Sequence, residues 1–266
     1  MNPVTAGEET GSASRTSRAG DGSSRRSGSR RSAVRRYIPP QHGAWAMLLI
    51  PYSAGLLVAG FRWPDLPLLG AWLAGYLLSY FGLQAVKTRR PRRFGTQLLA
   101  YGTATAVFAV PLLIVRPGLL VFAPAFIALA AVNIGYAVRR NERALVNDFA
   151  SVAQSCLMIL MVAQVAGQPL AHVLLTFLLV LLYFTGTVLY VKTMIRERGV
   201  VAYRRLSIGY HLLALAVAAS TGALPALVFA LLLARAWLLP GRRLTPKQVG
   251  FLEIGASVLV LVAATI

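Results

Sequence analysis

Long apolar segments separated by short basic clusters make up most of this chain of 266 residues. From residue 44 onward these segments are 16–23 residues long, and an α-helix of about 20 apolar residues crosses the hydrocarbon core of a bilayer. Only 13% of the residues are charged, against about 25% in a soluble domain. The pattern predicts an all-α, polytopic transmembrane helical bundle. It excludes a soluble enzyme, a coiled coil and, with Cys156 as the only cysteine, a disulfide scaffold.

About nine segments are predicted to span the membrane. They cover residues 44–61, 66–86, 95–115, 118–138, 144–166, 170–191, 206–221, 224–239 and 249–266. The last three are short for a full crossing. The pair between Arg205 and Pro240 also fits a re-entrant hairpin, which would leave seven full crossings and the same outer loops.

The distribution of positive charge predicts the orientation of the bundle. Of the 27 Lys and Arg residues, 24 fall in the N-terminal tail and in every second connection between spans. Because short cytoplasmic loops carry an excess of Lys and Arg, we expect the N-terminus inside and a multi-pass location in the inner (cytoplasmic) membrane. The net charge of +19 therefore indicates membrane lipids, and no nucleic acid, as the partner.

Residues 1–36 differ from the rest of the chain. Ser, Arg, Gly and Thr make up 24 of these 36 residues. Such a composition buries too little apolar surface to offset the entropy of ordering. We therefore expect a disordered basic cytoplasmic tail at 1–36 and the helical bundle at 37–266.

A short pattern occurs twice, at the ends of the second and sixth predicted spans. Tyr80-Phe81 precedes Lys87-Thr88, and Tyr183-Phe184 precedes Lys192-Thr193. Two parallel four-span halves followed by a ninth span would place these at matching positions. The two gaps differ by two residues, so coincidence is the alternative explanation.

The two basic clusters after these spans are the candidate ligand-binding site. The predicted ligand-binding residues are Lys87, Arg89, Arg90, Lys192, Arg196 and Arg198. Arg offers planar bidentate donors to phosphate and Lys a point charge, so we expect an anionic lipid-like ligand carrying phosphate or pyrophosphate at the cytoplasmic face. The simpler alternative is that these cations only anchor the helix ends.

Ionisable residues within predicted spans are costly and therefore candidates for function. Asp148 and, before the first span, His42 are the candidate catalytic bases; alternatively, Asn147 and Asp148 cap the fifth span. Arg235 and Glu253 flank the connection at 240–248, so we expect them to form a structural ion pair. No metal site and no cofactor are predicted, because the three histidines and the scattered acids form no ligand set.

A transporter or permease for a small solute is the alternative function. Its support is the repeat, the intramembrane charges and four prolines within predicted spans, namely Pro51, Pro111, Pro124 and Pro225. Against it, the polar groups gather on one side of the membrane. Whether the protein is an enzyme is left open, as is its oligomeric state.

Several motifs resemble the YwiC-like family of bacterial integral membrane proteins over residues 37–266. They are residues 40–45 (PQHGAW), residues 87–93 (KTRRPRR), Asn147-Asp148, residues 183–187 (YFTGT) and residues 192–198 (KTMIRER). The resemblance implies a location and an architecture only.

The chain also resembles, more remotely, the UbiA-type intramembrane prenyltransferases in topology, with functional loops after spans two and six. The Asp-rich motifs of that family, which hold Mg²⁺ against a prenyl pyrophosphate, have no counterpart here. Residues 84–94 contain no acid and residues 192–205 contain only Glu197. This departure makes metal-assisted prenyl transfer doubtful, although basic side chains could hold a phosphate directly.

Overall fold

The computed structural model describes Tyr37 and residues 42–266; the side chain of His42 and the predicted tail at 1–36 lie outside the described part. Within it the chain forms nine α-helices and no strand. They are α1 (His42–Ala59), α2 (Asp65–Thr88), α3 (Gly95–Val115), α4 (Ala123–Val138), α5 (Leu145–Ala166), α6 (Leu174–Met194), α7 (Val201–Ala219), α8 (Ala223–Leu238) and α9 (Pro246–Thr265). The all-α prediction is confirmed.

Six helical segments are long and apolar enough to cross a membrane, which is typical of a multi-pass membrane protein. They are Asp65–Thr88, Pro91–Val115, Pro117–Val138, Leu145–Ala166, Leu170–Met194 and Pro246–Thr265. Helix α1, with the stretch Ala44–Ala59, and helix α8 are apolar but shorter. Helix α7 begins at Val201, five residues before the predicted span. The predicted span began later because the first turns of α7 carry Arg204 and Arg205, and the apolar pattern starts only after them.

Prolines and capping side chains explain several helix boundaries. The predicted span 118–138 divides into a 3₁₀ segment, Pro117–Phe122, and α4, whose first turn contains Pro124. Proline lacks a backbone N–H and is tolerated in the first turn of a helix. Helix α9 begins with a capping box, in which Thr245 accepts from the backbone of Gln248 and the Gln248 side chain accepts from the backbone of Thr245.

Helices α5 and α6 form the centre of the bundle. Half of the residues in the most apolar stretch of each are buried, against 6% for the segment containing α3. Helix α1 packs on α5 and α9, helix α9 packs on α6 and α8, and α7 pairs with α8. A Cβ added to Gly55 of α1 would lie 2.9 Å from the Cβ of Val162 on α5, so a small residue is needed where these two helices approach.

Helices α2, α3 and α4 form an outer group with large apolar faces exposed. Helix α2 packs against α3 and α4, and α4 packs against α5. Leu99, Ile114 and Ile127 are each more than two-thirds exposed. Apolar surface of this extent suits contact with lipid.

Contacts between helix ends define one end of the bundle, here called the basic end. The end of α2 meets the start of α5 through Lys87 and Glu142. The end of α8 meets the start of α7 through the bond from Arg204 Nη2 to the Trp237 carbonyl oxygen, 3.2 Å. At the opposite end, Thr176 near the start of α6 bonds the carbonyl oxygen of Ala264 near the end of α9.

Candidate functional site

A basic cleft of about 370 Å³ opens on the surface at the basic end. Its lining consists of Lys87 and Thr88 from the end of α2, Arg90 and Arg93 from the connection to α3, and Arg140 from the turn after α4. Pro91 starts a short 3₁₀ turn in that connection. The cleft therefore collects cations from three neighbouring helix ends.

Most of the positive charge in the cleft is free to meet a ligand. Lys87 Nζ lies 2.5 Å from Glu142 Oε2, with side chains 37% and 31% exposed. The guanidinium groups of Arg90, Arg93 and Arg140 belong to exposed residues and form no ion pair within the part of the chain that the structure describes. Of the four cations that line the cleft, only Lys87 is therefore paired with a carboxylate of the described residues. An arrangement of this kind can hold a phosphate by charge and by bidentate hydrogen bonds.

Arg89 belongs to the predicted ligand set but does not line the cleft. It is the C-terminal cap of α2, in the left-handed conformation with φ of 55°. Its backbone N–H donates to the carbonyl oxygen of Val86, and the residue is exposed. Arg140 has the same conformation, with φ of 54°. Each residue ends a helix by turning the chain sharply.

The second Lys-Thr pair lies in a different environment. Lys192 is buried, with its Nζ 2.8 Å from Asp148 Oδ2 and 2.5 Å from the carbonyl oxygen of Arg143. Both hydrogen bonds stay within the protein, so the ammonium group is already engaged. The threonines behave alike: Thr88 donates to the Gln84 carbonyl, and Thr193 to the Tyr190 carbonyl, at 2.7 Å each.

Arg196 and Arg198 also lie outside the cleft. Arg198 donates from Nε to the Met194 carbonyl oxygen and from Nη2 to the Leu244 carbonyl oxygen, both at 3.1 Å. The bond to Leu244 joins the α6–α7 connection to the α8–α9 connection. Arg196 is exposed at the same surface. The structure therefore separates the predicted ligand residues into a cleft group, with Lys87 and Arg90, and a second group around Lys192.

Of the two candidate bases, Asp148 and His42, the structure describes only the side chain of Asp148. Asp148 lies in the first turn of α5, where the helix dipole favours a carboxylate, as the alternative interpretation expects. The N-cap is Ala144, however, and no side chain forms a capping hydrogen bond at this helix. Asp148 pairs instead with Lys192, and Asn147 Nδ2 donates to the Glu142 carbonyl. The side chain of His42 lies outside the described part.

Sequence reasoning missed Arg93 and Arg140, which line the cleft, and Glu142, which pairs with Lys87. Glu142 had a signal, since it is the only acid in residues 139–146, a segment otherwise rich in arginine. Arg93 and Arg140 carry no sequence signal, beyond their charge, that they line the cleft. Among residues 42–266, no group of three His, Cys, Asp or Glu side chains lies close enough together to hold a metal ion.

Comparison with known proteins gives the family. The family model described as "YwiC-like protein" matches residues 38–163. A protein of Bacillus subtilis described as "Uncharacterized protein YwiC" is 35% identical over 223 residues, covering 83% of this chain and 93% of the relative. The chain belongs to the YwiC-like family.

A second relative, an "Uncharacterized protein" of Haemophilus influenzae, is 34% identical over 240 residues, covering 85% of this chain and 98% of the relative. No solved structure matches this chain. Because the matches extend well beyond residues 38–163, the family resemblance covers most of the bundle. The descriptions of both relatives state no activity, so any function must be argued from the residues themselves.

A second polar cluster lies inside the basic end, between α6, α8 and α9. As the sequence predicts, Arg235 and Glu253 form an ion pair, with side chains 9% and 13% exposed. The Arg235 guanidinium lies over the ring of Tyr190, 4.2 Å from its centre. Thr187 Oγ1 donates to Glu253 Oε2 at 2.9 Å, and Tyr183 donates to the Glu253 carbonyl oxygen at 3.0 Å. This pair is largely shielded from solvent and is hydrogen-bonded.

Proposed function

We propose that this YwiC-like protein crosses the cytoplasmic membrane nine times, with its N-terminus in the cytoplasm. The six long apolar helices supply most of the crossings, and α1, α7 and α8 supply the shorter ones. The asymmetry of Lys and Arg supports the orientation, since the basic end faces the cytoplasm in this topology.

Topology is tested by enzyme fusions. Alkaline phosphatase, which is active only outside the cytoplasm, should be active when fused after Ile266 and inactive when fused at Thr245. A seven-crossing chain with a re-entrant α7–α8 pair would give the same activities of the two fusions. A cysteine introduced at Thr221, between α7 and α8, therefore supplies a third measurement that distinguishes the two topologies. Labelling of that cysteine from outside the cell supports nine crossings, whereas inactive fusions at Ile266 contradict the orientation.

We further propose that the basic cleft binds the phosphate-bearing headgroup of a lipid-like molecule. The single observation that carries this proposal is the convergence of Lys87, Arg90, Arg93 and Arg140 on one cleft, where only Lys87 is paired with a carboxylate of the described residues. Positive-inside anchoring needs only basic residues at helix ends, in any arrangement. A cleft shared by three helix ends goes beyond that requirement.

Apolar side chains beside the cleft support a ligand with a hydrocarbon part. Val86 immediately precedes Lys87 and is 38% exposed, and Leu99 in the first turns of α3 is 73% exposed. A headgroup in the cleft would bring its hydrocarbon chain against this outer face of α2 and α3. A free phosphate would have no use for that surface, which favours a lipid-like ligand.

The binding experiment compares two triple variants of the full chain in nanodiscs. The probes are a long-chain polyprenyl monophosphate and the corresponding uncharged polyprenol. Arg90→Gln, Arg93→Gln and Arg140→Gln together remove the free cations of the cleft. The matched control, Arg204→Gln, Arg205→Gln and Arg242→Gln, removes the same charge from exposed residues at the basic end, outside the cleft.

We expect the parent protein to bind the phosphate and not the alcohol. The cleft variant should bind the phosphate about tenfold or more weakly, because several charge-assisted contacts are lost, and the control variant should bind as the parent does. Equal weakening by both variants would mean that general surface charge attracts the lipid. In that case the cleft would not be a binding site.

A further inference from the structure

A line of polar side chains runs along α5, inward from the basic end. Asn147, Ser151 and Gln154 are spaced four and three residues apart, so they share one face of the helix. Asn133 of α4, the helix packed beside them, hydrogen-bonds to two of the three. These four residues are here called the polar seam. At 1.5 Å rise per residue, the seam reaches about 14 Å along α5.

The outer end of the polar seam adjoins the basic cleft. Asn147 Nδ2 donates to the carbonyl oxygen of Glu142 at 2.9 Å. The carboxylate of the same Glu142 pairs with Lys87, which lines the cleft. A molecule held by its phosphate in the cleft is therefore close to the seam.

The inner end of the polar seam has hydrogen-bond donors to spare. Ser151 Oγ donates to Asn133 Oδ1 at 3.4 Å, and Asn133 Nδ2 donates to Gln154 Oε1 at 3.3 Å. Each amide oxygen thus already accepts a bond. The second N–H of Asn133 and both N–H groups of Gln154 have no partner among the described residues. Gln154 Nε2 is also not enclosed by protein atoms, so a ligand can reach it.

Amides at this position need a partner from outside the described chain. Asn133, Ser151 and Gln154 are half-buried, and the neighbouring Ile134 and Val138 of α4 are 46% and 57% exposed. In the proposed topology these apolar side chains face lipid, so the seam borders the lipid phase. Hydrocarbon offers no acceptor, and an unpaired N–H in contact with it is costly.

The depth of the polar seam matches that of the ester groups in a membrane lipid. Asn133 lies five residues before the end of α4, or about 8 Å along the helix axis. The headgroup region of one leaflet is about 5–8 Å thick. A diacyl glycerophosphate carries its ester carbonyls at the inner border of that region, next to its phosphate. A carbonyl oxygen accepts hydrogen bonds and donates none, which suits the spare N–H groups.

We infer that Asn133 and Gln154 bind an ester carbonyl of a diacyl glycerophosphate whose phosphate occupies the basic cleft. The inference rests on the proposed phosphate site and specifies the class of lipid that this site prefers. A polyprenyl phosphate places only hydrocarbon beside the seam, so it binds through the cleft alone. The diacyl lipid adds hydrogen bonds that the polyprenyl lipid cannot form.

The test compares two lipids that differ only in their ester carbonyls. One is a diacyl phosphatidic acid, and the other is the dialkyl ether with the same phosphate, glycerol and chain length. The full chain is placed in nanodiscs of ether-linked phosphatidylcholine, so that the probe is the only source of ester carbonyls. The readout is the ratio of the two dissociation constants, because general loss of folded protein affects both lipids alike.

Two variants of α5 form a matched pair. Gln154→Met removes the spare donors and keeps the length of the side chain. Gln164→Met makes the same substitution in the same helix, ten residues further from the basic end. Both residues are half-buried, so the two changes are comparable.

We expect the parent protein to bind the diacyl lipid about three- to tenfold more tightly than the ether, as one neutral hydrogen bond contributes. Gln154→Met should lower this ratio to about one and leave the binding of the ether unchanged. Gln164→Met should keep the ratio of the parent. If Gln154→Met does not fold, Asn133→Leu replaces it and is judged by the same ratio.

Three results would overturn the inference, and they separate it from the phosphate proposal. Equal binding of ester and ether by the parent would leave the cleft intact but show that the seam serves water or a second copy of the chain. A Gln154→Met protein with the parent ratio would place the ester contact elsewhere. Binding of neither phosphate lipid would overturn the cleft and the seam together.

Discussion

The ends of α2 and α6 carry the same Lys-Thr pair in two different environments. Both threonines bond a carbonyl of their own helix. Lys87 pairs with Glu142, just before α5, and Lys192 pairs with Asp148, in the first turn of α5. Lys87 is 37% exposed and lines a cleft, whereas the Lys192 side chain is 6% exposed and engaged on two sides. Identical residues therefore lie in different environments at the two helix ends.

Burial decides which purpose a charge can serve. An exposed ion pair contributes at most about 1 kcal/mol, and its cation can exchange partners with a ligand. A buried pair cannot lose one partner without leaving the other charge unsolvated. The partly exposed Lys87 therefore suits the proposed phosphate site, whereas Lys192, like Arg235 and Glu253, is engaged within the bundle.

The largest expected effect is at the most deeply buried pair. Arg235→Leu and Glu253→Leu should each lower the free energy of unfolding by about 3–5 kcal/mol, because each leaves an uncompensated buried charge. The double variant should recover most of the loss, as an apolar pair in its place needs no solvation. The fraction of folded protein in detergent and its resistance to denaturant measure this. Losses that simply add would show that the two residues are not partners.

The next largest effect is the difference in stability between variants of the two lysines, Lys192 and Lys87. Lys192→Met should destabilise the bundle by about 2–4 kcal/mol, less than the first pair because Asp148 is 25% exposed and partly solvated. Lys87→Met, the matched control, should cost about 1 kcal/mol or less. Unfolding of both variants in the same detergent measures the difference. Equal losses would remove the distinction between the two helix ends.

The smallest effect is the response to salt. Binding of the polyprenyl phosphate in the exposed cleft should weaken severalfold when ionic strength rises from about 0.01 M to about 1 M, since screening acts on exposed charges. The unfolding of the parent protein should change little, because its pairs at Lys192 and Arg235 are buried. A binding constant that is insensitive to salt would place the ligand away from Arg90, Arg93 and Arg140.

The helices were largely predictable because their signal is local. Apolar length and proline positions need no knowledge of the packing, so all nine helices follow from the sequence. The Arg235–Glu253 pair was also predictable, since a connection of seven residues between α8 and α9 keeps its partners close. Helix α7 was predicted too short because a helix can extend past its apolar part.

The pairing of the lysines could not be predicted. Lys87 and Glu142 are 55 residues apart in the sequence. They meet only because α2 packs against α4, and α4 packs against α5. The burial of Lys192 depends in the same way on its neighbours α5 and α9. Charge alone therefore predicted a phosphate site at both clusters, while the tertiary structure shows that Lys192 is buried and Lys87 is partly exposed.

Chemical modification of the lysines tests the distinction between the two helix ends most directly. The chain has three lysines, Lys87, Lys192 and Lys247, and Lys247 is exposed. A water-soluble acetylating reagent should modify Lys87 and Lys247 of the folded protein and leave Lys192 unmodified until the protein unfolds. Polyprenyl phosphate should slow the modification of Lys87 severalfold, as read by mass spectrometry, and leave Lys247 unaffected. Modification of Lys192 at the rate of Lys247, or equal protection of Lys87 and Lys247, would contradict the account.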